Sequence, residues 1–141
     1  LFRSVFAGGN ATSFDLAGGN LTLQAQGGGI SQSSGSDVKV MNLTATVLDA
    51  AGAVSLTNAG NDFTGNVTVS AATDVGLKSA NFLNVSSVAA SGNISLEAKA
   101  VNINGDVITS TAGKTISATA SNGTLSNASA TRTSGVFIMR D

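Results

Sequence analysis

Short stretches of the chain alternate apolar and polar residues with period two. Gly52-Ala53-Val54-Ser55-Leu56, Gly65-Asn66-Val67-Thr68-Val69 and Gly92-Asn93-Ile94-Ser95-Leu96 share one form. A small turn residue leads into apolar–polar–apolar alternation, the pattern of a strand with one buried face. Gly8-Gly9-Asn10, Gly18-Gly19-Asn20 and Asn122-Gly123 add turn signals, since Gly and Asn tolerate positive φ. No segment has the periodicity and length of a helix, apart from a single turn in Leu1-Phe2-Arg3-Ser4-Val5-Phe6.

The alternating segments recur. At an interval of about twenty residues, one column holds Leu23, Leu43, Phe63, Leu83 and Ile103, with Gly123 as its exception. A second holds Val47, Val67 and Val107, with Val88 one place late. A third holds Leu16, Leu56, Leu96 and Ile116, with Leu77 one late, and a fourth holds Phe14, Val54, Ile94 and the late Val75. Strands of about 4–6 residues cannot each bury a face alone. Stacked as coils of a solenoid, each pairs in parallel with its equivalent ~4.8 Å away, and like residues fall on like. The expected fold is all-β: one right-handed parallel β-helix over residues 1–141, with about 20 residues per coil, about seven coils and a length of ~33 Å. Residues 1–17 and 124–141 fall outside the frame and are expected to cap the ends or contact another subunit.

Composition agrees. Hydrophobic residues make up 42% of the 141 residues, mostly Ala, Val, Leu and Ile, with six Phe and no Trp or Tyr. Small and β-branched residues suit repeated strands and turns better than a helical bundle. Disorder needs low hydrophobicity and high net charge, whereas mean hydropathy is positive and net charge is −1. The seven Lys and Arg are scattered, so no basic stripe points to nucleic acid. There is no Cys for a disulfide or thiolate metal site, a composition that suits export in the unfolded state. No run approaches the roughly 18–20 apolar residues of a membrane-spanning helix. The chain opens on Leu1 without a basic-plus-apolar leader, so a signal peptide is expected to have been removed or to lie outside this sequence.

From Asn20 to Ala71 the chain resembles the repeat region of filamentous-haemagglutinin-type adhesins, the large exoproteins of bacterial two-partner secretion. The stretch from Gly52 to Ser70, GAVSLTNAGNDFTGNVTVS, carries most of the likeness, which extends over roughly residues 18–120. The resemblance implies a right-handed parallel β-helix, export to the cell surface, and adhesion or presentation of a terminal domain. The Asn-Pro-Asn-Gly motif of that family's secretion domain has no counterpart here, because the chain has no Pro. A stalk segment is therefore the expected part.

The residues offer little for catalysis. Without His, Cys, Tyr or Trp the usual general base and the commonest metal ligand are missing. A carbohydrate-active β-helix needs carboxylates on adjacent coils. In the twenty-residue frame only Asp37 and Glu97 share a phase, three coils apart. No catalytic, cofactor-binding or metal-binding residue is expected, and no enzyme. Lys39 and Lys99 share a phase, and Lys78 falls beside the column of Glu97, which predicts a Lys78–Glu97 pair of small energetic weight. Eight Asn-x-Ser/Thr triplets begin at Asn10, Asn20, Asn42, Asn66, Asn84, Asn93, Asn122 and Asn127. A turn Asn, an inward apolar residue and an outward hydroxyl account for most of them, with surface glycosylation as the competing reading. Thr22, Thr44, Thr68 and Ser95 fall at different phases, so the outward Thr array that ice binding requires is not expected.

The expected function is structural: an extracellular or cell-surface scaffold, adhesin stalk or filament subunit. The alternative is a module that binds carbohydrate or matrix through a Ser/Thr/Asn-rich face. Residues 1–6 and Val136-Phe137-Ile138-Met139-Arg140 read as apolar strands that cap the ends or pair with the next subunit, so the expected partners are further copies, or neighbouring segments of the same protein. Neither nucleic acid nor membrane insertion is expected.

Overall fold

A computed structural model describes residues 14–16, 18–49, 51–71, 73–127, 132–133 and 136–140. Within them the chain forms seventeen strands and no helix, all pairing in parallel and stacked as a β-solenoid of about five turns some 22 residues apart. Residues 1–6, proposed above as a helical turn or a capping strand, lie outside the described residues.

Three sheets run along the axis. The largest contains β2 (Leu21–Ala25), β5 (Leu43–Val47), β8 (Asn66–Ser70), β10 (Phe82–Ala90), β12 (Ala100–Ile103) and β15 (Leu125–Asn127). Alongside, β13 (Val107–Thr109) pairs with β10 and with β16 (Arg132–Thr133). The second contains β3 (Ile30–Ser31), β6 (Val54–Leu56), β9 (Val75–Lys78), β11 (Ile94–Ala98), β14 (Thr115–Ala120) and β17 (Val136–Arg140). The third is short: β1 (Phe14–Asp15), β4 (Val38–Val40) and β7 (Asp62–Phe63).

The alternation read from the sequence survives as burial. In β2, β5, β6 and β11 every apolar residue turns inward, and the residues between them are exposed or half-buried. The inward side chains form one continuous core from Leu21 to Ala118. Its ladders are real but not all in the expected register. Leu56, Leu77 and Leu96 stack as the sequence suggested, as do Val54, Val75 and Ile94. Ile116 continues the Val54 ladder rather than the Leu56 ladder, and Phe14 pairs with Val38. The column Leu23, Leu43, Phe63, Leu83, Ile103 is all buried, yet it is not one ladder. Leu23 stacks on Ala45, and Phe63 on Val40. Leu83 stacks on Val101. The ladder through Leu43 runs Leu21, Leu43, Val67, Val85, Ile103.

The cause is variable coil length. Leu43 faces Val67, 24 residues on, but Val67 faces Val85, only 18 on. The early coils carry the third sheet as an extra side, and that sheet ends at β7. Beyond it the chain passes from β9 to the nine-residue β10 in three residues. The next step shortens further against a bulge in β10, where the register shifts between Val85 and Ser87. A Cβ on Gly105 would collide with the carbonyl oxygen of Ser86 at that bulge, so only Gly lets the neighbouring coil approach. Ile94 then faces Ile116, 22 on, across a longer corner closed by Gly113 at φ 79°. Hence there are about five turns rather than seven, and six rungs spaced ~4.8 Å span about 24 Å.

Of the terminal segment 124–141, β15, β16 and β17 are rungs of the solenoid, paired with β12, β13 and β14. Val136–Arg140 thus forms the last strand of its own sheet.

Candidate functional site

The outward positions of the three sheets stack as regularly as the inward ones, and each face has its own chemistry. On the third sheet Asp15 lies beside Lys39, and Lys39 beside Asp62. After the sheet ends, side chains continue the column. The Asn81 amide donates to Asp62 Oδ2 at 3.2 Å, and Lys99 Nζ donates to Asn81 Oδ1 at 3.2 Å. Lys39 and Lys99, matched in phase in the sequence, therefore belong to one ladder of alternating sign. Asp15, Gly18, Lys39, Val40, Asp62 and Thr64 line an open groove of about 220 Å³ there. Asp37 and Glu97 do not meet: Asp37 precedes β4, whereas Glu97 lies in β11 of the second sheet.

On the second sheet Lys78 and Glu97 are paired in register, with Nζ 2.6 Å from Oε1. Both side chains are a third or more exposed, so solvent screens the pair. Glu97→Gln is expected to change unfolding free energy by no more than about 1 kcal/mol in a denaturant titration.

The largest sheet carries amides and hydroxyls. Asn42 Nδ2 donates to Asn20 Oδ1 at 2.8 Å, and Asn42 Oδ1 accepts from the Asn66 backbone N–H at 2.7 Å. Asn66 pairs with Asn84, Asn102 Nδ2 donates to Asn84 Oδ1 at 2.9 Å, and Ser126 Oγ donates to Asn102 Oδ1 at 2.8 Å. Four of the eight Asn-x-Ser/Thr triplets therefore begin on one column, where each Asn ties its coil to the next. Asn93 does similar work on the second sheet, accepting from the Thr115 N–H at 3.0 Å. Asn10 lies outside the described residues.

One expectation about this face is overturned. Thr22 pairs with Thr44, Thr44 with Thr68, and Thr68 with Ser87, so the three Thr residues do form a single outward column. The twenty-residue frame hid it because these steps are 22, 24 and 19 residues long. Ser95, in β11, belongs to the second sheet.

Sequence reasoning also missed the corner between the second and third sheets. Asn61 is wholly buried and its amide is bonded on every side. It forms a reciprocal amide pair with Gln32, at 2.6 and 2.8 Å, donates to the Leu56 carbonyl at 3.1 Å and accepts from the Val38 N–H at 2.9 Å. Asn58 Nδ2 spans to the Ser33 and Ser36 carbonyls of the neighbouring coil at 2.7 and 2.5 Å. The Asn-Ala-Gly-Asn of the stretch that carries the adhesin resemblance is thus a corner brace. The only signal in the sequence was an Asn two residues ahead of the apolar Phe63, at a position where alternation calls for an inward side chain.

A family model described as "Repeats of unknown function (DUF5649)" matches residues 4–70, a stretch that includes the corner brace and the first rungs of all three sheets. No curated protein and no solved structure matches the chain. Over residues 4–70, then, the chain is similar to repeats whose description assigns no function, and that similarity agrees with a repeat protein folded as a β-solenoid.

Proposed function

We propose that this chain is a length of rigid extracellular scaffold, a stalk segment or filament subunit of a bacterial cell-surface adhesin. The observation that carries the reading is the unbroken internal core from coil to coil: each rung buries its apolar residues only against its neighbours, which builds a rod rather than a pocket. The resemblance of Gly52 to Ser70 to exported adhesin repeats supports a place outside the cell. The second edge of β17, the last strand of its sheet, is suited to accept a further coil by strand addition, either from more of the same protein or from another copy.

Immunogold electron microscopy of intact source cells, with antibody raised against the chain, tests this. Label on surface fibres or stalks is expected. Label confined to the cell interior would overturn the proposal. Light scattering of the purified chain distinguishes the two forms of the scaffold. Mass that grows with concentration marks a self-assembling subunit, and a monomer at every concentration leaves only the stalk.

A further inference from the structure

The three faces differ in one respect that the fold does not require. The third sheet places Asp15, Lys39 and Asp62 outward, and the second places Lys78 and Glu97 outward. In the largest sheet, β2, β5, β8, β10, β12, β13 and β15 contain no ionisable residue at all. Charges on the other faces show that an outward position of this solenoid accepts them, and surface charge favours solubility. A plane of six rungs that omits them is suited to an uncharged ligand.

The groups presented there favour a hydroxyl-rich ligand. A side-chain amide has two N–H donors and a carbonyl with two lone pairs. The contacts along the Asn column occupy one donor of Asn42 and one of Asn102, leaving the second N–H of each directed away from the ladder. The Thr22, Thr44, Thr68, Ser87 column runs parallel to the amides. Donor and acceptor side by side on one amide match the vicinal hydroxyls of a sugar, and the set recurs at every rung, ~4.8 Å apart.

The same face holds an exposed aromatic ring. Phe82 is 56% exposed and lies two residues before Asn84, on the same side of β10. Its partner on the next coil is Ala100, too small to cover it. Isolated exposed apolar residues are common, but here the ring stands beside the amide column on a charge-free plane, where it can stack against the C–H face of a pyranose. A ring projecting from the plane also disfavours a flat lattice such as ice, as does the uneven neighbouring column of Gln24, Thr46, Ser70 and Ala89.

We propose that the outer face of the largest sheet, centred on Phe82 and the Asn66, Asn84, Asn102 column, binds a neutral polysaccharide lying along the solenoid axis. Repetition of weak contacts along the polymer supplies the avidity. This proposal stands apart from the scaffold reading, which rests on the core, and either can fail alone.

The test is retention of the whole chain on microcrystalline cellulose, an insoluble β-1,3-glucan and mannan, with heparin-agarose as the anionic comparison. Retention on at least one neutral polymer is expected, unchanged when salt is raised to about 0.5 M, where charge attraction is heavily screened. Phe82→Ala should weaken it about fivefold or more. Asn84→Asp, which keeps the shape and adds a charge, should weaken it too, while Lys78→Ala on another face should not. Circular dichroism checks that each variant is folded; if Phe82→Ala is not, Asn84→Asp decides. Three results would overturn the proposal: no retention on any neutral polymer, salt-sensitive retention on heparin alone, or a folded Phe82→Ala or Asn84→Asp that binds as well as the parent.

Discussion

Asn61→Ala is expected to lower the unfolding free energy by about 3 kcal/mol or more, because it strands several buried groups at once. The Gln32 amide loses both bonds of its reciprocal pair, the Val38 N–H loses its acceptor, and the Leu56 carbonyl loses its donor. A buried polar group left without a partner costs roughly 1–3 kcal/mol, and water has no access to a residue that is 0% exposed. Thermal unfolding followed by circular dichroism should show a midpoint lower by about ten degrees. Gln32→Ala removes one side of the same pair, so the double variant should cost clearly less than the sum of the two single changes. Additive losses would mean that the two amides do not act together, and the corner brace would have to be abandoned.

Leu77→Ala is expected to cost about 2–5 kcal/mol, the usual range for emptying a buried Leu site. Leu77 is 1% exposed and sits between Leu56 and Leu96 in the middle of its ladder, with a coil on either side. Its loss leaves a cavity bordered by two fixed backbones that cannot both move in. In a solenoid, where each repeat leans on its neighbours, a weak central coil also uncouples the two ends. The expected signature in guanidinium is therefore a broader transition as well as a lower midpoint. Leu48→Ala serves as the comparison: that side chain is 58% exposed, and its removal should change stability by no more than about 0.5 kcal/mol.

The architecture was legible in the sequence because inward positions are constrained to be apolar. Val54-Ser55-Leu56 and Ile94-Ser95-Leu96 declare strand, face and repeat at once. Register was legible only where coil length stays steady: steps of 21 and 19 residues carry Val54 to Val75 to Ile94, and there the expected ladders hold. Where the third sheet ends and β10 bulges, a fixed interval assigns Phe63 and Leu83 to the wrong ladder although both are buried. Coil length depends on corners, and corners depend on side-chain bonds to the neighbouring coil, which no periodicity encodes. The outer face suffered most from this. The Thr column and the Asn column emerge only once the true steps are known, because outward residues carry no apolar constraint from which to align them. The Lys78–Glu97 pair was visible because it lies in the steady part of the repeat.

The most direct test of the stacking is a pair of engineered disulfides in this Cys-free chain. Thr44 and Thr68 face each other on adjacent coils, and parallel neighbours ~4.8 Å apart lie within the Cα range that a disulfide spans. Thr44→Cys with Thr68→Cys should therefore close on mild oxidation to an intramolecular disulfide, read as a two-dalton loss by mass spectrometry. Thr44→Cys with Thr64→Cys, the partner that a uniform twenty-residue coil would supply, should remain reduced. Closure of the second pair in place of the first would contradict the stacked coils described above.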